Sequence, residues 1–215
     1  MNENKKVIVF QGDSITDCGR YKPEPDNLGQ GYPTRVAGDM GLDHPGEYEF
    51  INRGISGDRI VDIYARMKRD IINLKPDYLS ILVGVNDVWH ERDFGNGVSA
   101  PKFKKVYRML LEELKEELPE VKIMLLEPFV CNGEASARGD YQWFESEVFL
   151  RAKAVKELAE EFGLPFIPLQ ADLDAMSEKV GGTYWLFDGV HPTPFFHQHI
   201  ARRWMETFEK EWQGR

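Results

Sequence analysis

Residues 7–16 read VIVFQGDSIT, and the reading of this stretch decides the fold. Val7 to Phe10 run without polar alternation in β-branched and aromatic residues, the pattern of a strand buried on both faces as in a parallel sheet. Gly12 ends the run, and an acid and a hydroxyl follow where the chain must turn. A serine at the carboxyl end of a buried parallel strand sits where open α/β sheets place their ligands. Ser14 is therefore a candidate nucleophile, although taken alone it reads first as a helix N-cap. Asp13 beside it reads as a hydrogen-bonder of the turn, too acidic to act as the base itself.

A serine hydroxyl needs a base within reach, usually an imidazole oriented by a carboxylate. Of five histidines, His191 alone lies in a stretch of the right kind, DGVHP, with Asp188 three residues before it and Pro192 stiffening the segment behind. Two other stretches could donate hydrogen bonds to a developing oxyanion: NRGISGD at 52–58 through backbone N–H groups, and GVND at 84–87 through the Asn86 amide. Gly57 is otherwise an ordinary turn glycine and Asn86 an Asx-turn residue. His44, His90, His197 and His199 read as surface or packing residues.

Taken together, GDSIT at 12–16, GISG at 54–57, GVND at 84–87 and DGVH at 188–191 resemble, in order and spacing, the four blocks of the SGNH or GDSL-type hydrolases. The fuller strings GDSITDCGR, NRGISGDRIVD, GVNDVW and DGVHPT look most like acetylxylan esterase-like carbohydrate esterases. The resemblance implies a Ser14–His191–Asp188 triad and an oxyanion hole made by the Ser14 and Gly57 N–H groups and the Asn86 side chain. It also implies removal of acetyl groups from carbohydrate, acetylated xylo-oligosaccharides above all, with no metal or organic cofactor. Trp89, His90, Trp185 and Phe187 flank the blocks and are candidates to line a sugar subsite, as aromatic rings stack on pyranose faces; they are equally ordinary core material.

Outward from these blocks, strands at 49–52, 78–83, 121–126 and 165–169 alternate with helices near 33–41, 59–74, 101–118, 142–162, 170–179 and 194–212. Residues 17–33 and 88–101 read as loops, and the polar, aromatic stretch at 127–144 as a long loop suited to specificity. Arg59, Arg66, Lys68 and Arg69 read as the solvated face of the second of those helices. The alternation predicts one domain over 1–215, a three-layer α/β/α sandwich on a parallel sheet of about five strands in flavodoxin-like order.

The chain has 215 residues, 42% of them hydrophobic, enough for one substantial core. A formal net charge of −9, without a basic block, argues against nucleic acid as a partner. No stretch approaches the roughly 18 apolar residues of a membrane span, and the four-residue apolar run after Lys5 and Lys6 is too short for a signal peptide. Cys18 and Cys131 are too few for a disulfide scaffold, so a cytoplasmic protein with reduced thiols is expected, Cys18 being a small buried thiol near the site. The aromatic content and the resemblance make a homo-oligomer reasonable. Rivals are a lysophospholipase or thioesterase using the same residues, a carbohydrate-binding relative without turnover, and a metal-dependent phosphohydrolase built on Asp13, Asp188 and His191.

Overall fold

The computed structural model describes residues 5–214. The N-terminal segment weighed above as a leader begins with residues 1–4, which lie outside that range. Five parallel strands form one sheet: β1 (Lys6–Gly12), β2 (Tyr48–Asn52), β3 (Tyr78–Leu82), β4 (Lys122–Leu126) and β5 (Phe166–Ile167), in spatial order β2-β1-β3-β4-β5. This is the expected flavodoxin-like order. It puts β1 between β2 and β3, with Phe10 opposite Asn52 on one side and Ser80 on the other.

The continuous apolar run of β1 is explained by its two covered faces. Ile8 and Phe10 point into one core with Tyr32, Leu82, Phe196 and Trp204, and Val9 points into the other with Ile60, Ile81, Phe103 and Leu125. Helices α2 (Tyr32–Asp43), α7 (Gln170–Val180) and α8 (Pro194–Phe208) supply the first layer. Helices α3 (Ile60–Asp70), α5 (Ala100–Glu117) and α6 (Tyr141–Phe162) supply the second. Burying an aliphatic or aromatic side chain contributes roughly 1.5–3 kcal/mol, so these two cores, one on each side of the sheet, fix the register that brings the strand ends together.

Three expectations about the elements are corrected. Residues 88–101 are not a loop: α4 spans Val85–Phe94, with Val85 and Val88 buried, and stops at Gly95, whose φ of 59° allows its N–H to reach the Glu91 carbonyl. The Asn, Asp and Gly residues around GVND suggested a turn, but packing of Val85, Val88 and Trp89 against Phe144 and Val148 outweighs their weak helix propensity. β5 keeps only two residues of the expected five, because Pro165 and Pro168 have no N–H to give a ladder. The helix from 59 ends at Asp70, and a 3₁₀ turn at Ile72–Leu74 completes the segment. Among the described residues no helix is long and apolar enough to cross a membrane.

Candidate active site

β1 delivers its last residues to a tight strand-to-helix turn. Asp13 caps the four-residue helix α1 (Ser14–Asp17), its Oδ1 accepting the Ile15 N–H at 3.0 Å. Ser14 is the first residue of that helix, where a backbone N–H has no intrahelical partner. The Ser14 Oγ lies 2.9 Å from His191 Nε2, and His191 Nδ1 lies 2.7 Å from Asp188 Oδ2. The other carboxylate oxygen of Asp188 accepts the backbone N–H groups of Val190 (2.9 Å) and His191 (2.8 Å).

These contacts set the protonation states. Burial raises the Asp188 carboxyl, but the hydrogen bonds from the His191 ring and from the two backbone N–H groups outweigh it, so its pKa falls below the usual range. Asp188 is thus an ionised acceptor, His191 Nδ1 carries the hydrogen, and Nε2 of the neutral ring presents its lone pair to Ser14. Burial lowers the imidazole, yet the Asp188 hydrogen bond and charge more than reverse this, so the His191 pKa is raised above the ordinary value.

The segment carrying Asp188 and His191 is held by the 127–140 loop. Cys131 N–H donates to the Gly189 carbonyl at 3.0 Å and Ala135 N–H to the Asp188 carbonyl at 2.8 Å. Gly189 has φ +94°, and a Cβ there would meet Ser136 Oγ at 2.2 Å, so both the backbone conformation and the space require glycine. The loop expected to carry specificity has most of its contacts with the protein itself: Phe129, Val130, Ala135 and Ser136 are buried.

Ser14, Ser56 and His191 lie between two clefts. One, of about 220 Å³, is lined by Gly57, Asn86, Trp89, His90 and Phe94. The other, of about 320 Å³, is lined by Cys18, Gln30, Phe187, Pro192 and His197. Gly57 and Asn86 therefore face one cavity with the serine. Asn86 sits in the first turn of α4 and gives one amide N–H to the Asp58 carbonyl at 3.2 Å, which leaves its second N–H available to a ligand. Trp89 and Phe187 both lie beside the His191 ring, with centroids at 5.9 and 5.7 Å, and Phe187 is stacked on it at 19°. Trp185 lines neither cleft: its ring packs against the core and on Tyr184, and its indole N–H is buried.

Several residues of this neighbourhood were not legible as such. Arg66 is no solvated side chain: it reaches Asp58 Oδ2 (2.6 Å), Asp70 Oδ2 (2.8 Å), Gln11 Oε1 (2.6 Å) and the Arg53 carbonyl (2.8 Å), bracing the end of β1. Asp87 is fully buried and accepts the Ile60 N–H at the start of α3, so it ties the segment after Gly57 to the helix bearing Asn86. His197 is buried, its Nδ1 accepting the Tyr32 N–H at 3.2 Å and its Nε2 lying 3.3 Å from Cys18 Sγ. Burial holds the His197 pKa at about 3, so the neutral ring donates to a thiol that is half-buried at the cleft wall. Asp13 is not strongly acidic: burial lifts its carboxyl to about 7 against the pull of the Ile15 N–H and the His191 charge. All of these depend on tertiary contacts and burial, which no local pattern in the sequence records.

Among the described residues no three His, Cys, Asp or Glu side chains are arranged to hold a metal ion. The sequence profile of the GDSL-like lipase/acylhydrolase family matches residues 10–199. An acetylxylan esterase of Geobacillus stearothermophilus is 33% identical over 215 residues, covering 95% of this chain and 94% of that protein. Among solved structures, a protein described as a GDSL-like lipase from Parabacteroides merdae superposes with a TM-score of 0.88 at 37% identity, covering 94% of this chain and 96% of that one. The Geobacillus acetylxylan esterase with an alanine in place of one serine, described as a catalytic mutant, superposes with a TM-score of 0.84 at 31% identity over 99% and 98% of the two chains.

Proposed function

From the premise that the chain belongs to the GDSL-like lipase/acylhydrolase family and is a carboxylic ester hydrolase, we propose that it removes acetyl groups from acetylated carbohydrate, xylo-oligosaccharides in particular. One observation carries the reading: a serine hydroxyl, an imidazole and a carboxylate in an unbroken hydrogen-bonded line, beside a cleft shared with Gly57 and Asn86. The whole of 1–215 is read as one SGNH hydrolase domain, supported by the single sheet and by the span of the family match.

In this reading His191 Nε2 takes the Ser14 proton as Oγ attacks the ester carbonyl carbon. The carbonyl oxygen becomes an oxyanion and receives hydrogen bonds from the Ser14 and Gly57 N–H groups and from Asn86. His191, now a cation beside ionised Asp188, returns the proton to the departing sugar oxygen as the tetrahedral intermediate collapses. Water then adds to the acyl-serine, giving a proton to His191, and acetate leaves as the proton returns to Oγ. In this reading Trp89 and Phe187, both beside the imidazole, meet the sugar, and His90, which lines the cleft with Asn86, joins them.

Acetate release from acetylated xylo-oligosaccharides, gluco-oligosaccharides and monosaccharides, set against hydrolysis of octanoyl esters, tests the assignment. The expected order is acetylated xylo-oligosaccharide first and octanoate last. Faster hydrolysis of octanoate would favour the lipase or thioesterase reading. A chain inert on every ester, with Ser14→Ala indistinguishable from the parent, would leave a binding protein.

A further inference from the structure

On the far side of the Gly54–Gly57 loop from the serine lies a groove of about 490 Å³, within the roughly 300–1,000 Å³ typical of small-molecule sites. Arg20, Lys22, Pro25, Arg53, Ile55, Arg69 and Asp70 line it. For a chain with a net charge of −9 this is an unusual concentration of cations. Arg66 lies beneath it, spent on Asp58 and Asp70; Arg69 pairs with Asp70, and Asp17 lies 3.6 Å from Lys22 and 3.9 Å from Arg20. Arg53 makes no ion pair among the described residues, its Nη1 reaching only the Asn52 carbonyl at 3.2 Å. Glu24 and Asp26, exposed on the neighbouring loop, pair with none of these cations. The groove lining thus carries four cations and one carboxylate, Asp70, with Asp17 within 4 Å of two of them.

Arg20 sharpens the point. Its side chain is 6% exposed, its Nε is buried without a hydrogen-bond partner, and its Nη2 donates to the Gly54 carbonyl at 3.0 Å. Burial, with the Arg53 and Arg66 guanidiniums close by, destabilises its charged form despite Asp17 and Asp70. An anion in the groove would offset that repulsion.

We propose that this groove, between the 20–25 loop, residues 53–55 and the end of α3, is a binding site for an oxyanion of the carboxylate or phosphate type. Two sources share that chemistry: an acidic sugar carried on the acetylated saccharide, and a free small anion. The first rests on the carbohydrate-esterase reading; the second does not. In both cases the ligand touches the catalytic loop, because Arg20 holds Gly54, and Asp17 accepts the N–H (3.0 Å) and the Oγ–H (2.9 Å) of Ser56, which lines both clefts.

The test uses the full chain and the variants Arg53→Gln and Lys22→Gln, which leave the Arg20 and Arg66 hydrogen bonds in place. Calorimetric titration with glucuronate and with inorganic phosphate at low salt should show saturable binding of at least one, weakened about fivefold in each variant. Kinetics on two acetylated xylo-oligosaccharides of equal length, one bearing a glucuronic acid branch, separate the sources. A substrate carboxylate gives the branched ester a KM lower by about fivefold with kcat unchanged, an advantage lost in Arg53→Gln. A free anion instead gives phosphate binding, with equal KM values for the two esters. Titrating the Ser14→Ala protein reads the groove without turnover, so a failed esterase assignment leaves this arm intact. Absence of saturable binding of either probe up to about 10 mM, or binding unchanged in both variants, would overturn the proposal.

Discussion

Asp188→Asn is the sharpest perturbation the geometry offers, because the backbone dictates how the amide must sit. One oxygen of Asp188 accepts two N–H groups, from Val190 and His191, and the other faces His191 Nδ1 at 2.7 Å. An asparagine can place only its carbonyl oxygen toward the two N–H donors; turning the NH₂ there would set donor against donor twice, at a cost of about 1–3 kcal/mol for each buried group left unpaired. The NH₂ must therefore point at Nδ1 and donate to it. Nδ1 then loses its hydrogen, Nε2 gains one, and the imidazole presents Ser14 with a donor where it formerly presented a lone pair. Forcing the wrong tautomer in a triad of this kind costs about 10⁴ in kcat, or roughly 5.5 kcal/mol. Hydrolysis of a chromogenic acetate ester at pH 7.5 should fall by that factor with KM little changed and with the fold intact by circular dichroism. Asp188→Ala, which imposes no tautomer, should be no worse than Asp188→Asn despite losing more atoms. An Asn variant within tenfold of the parent, folded and with the same pH profile, would falsify the assignment of His191 as base.

Other consequences are as direct. Asn86→Ala should lower kcat by about 10²–10³ with the parent's KM, since the amide matters only once the oxyanion forms; an equal rise in KM alone would place Asn86 in ground-state binding. Because the His191 pKa is raised, and only the neutral ring can accept the Ser14 proton, kcat/KM should rise with pH and reach half its maximum above about 6.5; a pH–rate profile already flat at 6 would contradict this. Arg66→Ala leaves Asp58, Asp70 and Gln11 without their shared donor, and removal of one partner of a buried pair costs about 3–5 kcal/mol, to be read from urea unfolding. A loss below about 1 kcal/mol would mean that Arg66 behaves as a surface ion pair.

How much of this was legible in the sequence follows from the range of the interactions involved. The four blocks mark backbone conformations and side-chain chemistry that are local, such as Gly12 at the strand end or Asp188 three residues from His191, and local requirements leave local patterns. The layers followed from a strand that is apolar at four consecutive positions, Val7 to Phe10, which only a sheet covered on both faces rewards. α4 was missed because its stability lies in Val88 and Trp89 packing against Phe144 and Val148 of α6, far along the chain, while its own sequence is full of residues that favour turns. Arg66 was misread for the same reason. Nothing in the spacing of α3 distinguishes an arginine in water from one that reaches Gln11 and Asp58. Trp185 and Phe187, two residues apart, were indistinguishable as subsite candidates, yet one lies against the core and the other on the imidazole.

The buried acids suggest how the site tolerates so many polar groups. Asp13 is 1% exposed, has one oxygen without a partner, and has its pKa lifted to about 7. A raised carboxyl of this sort contributes stability that is fully present below its unfolded pKa of about 3.9 and is lost as pH rises through the folded value near 7. The group therefore works against the fold in the pH range where His191 becomes neutral, while its negative charge, once formed, helps hold the imidazole's pKa up. Asp13→Asn keeps the Ile15 N–H cap and removes the ionisation. The variant should gain stability relative to the parent at pH 8 compared with pH 4.5, and its kinetic pKa should move down. Urea denaturation at the two pH values reads the first effect and the pH–rate profile reads the second. If the stability difference between the two pH values is the same in the variant, the Asp13 carboxyl ionises at its ordinary pH; if the kinetic pKa does not move, its charge does not reach the imidazole, and either result removes the opposition between nucleophile turn and base that this geometry implies.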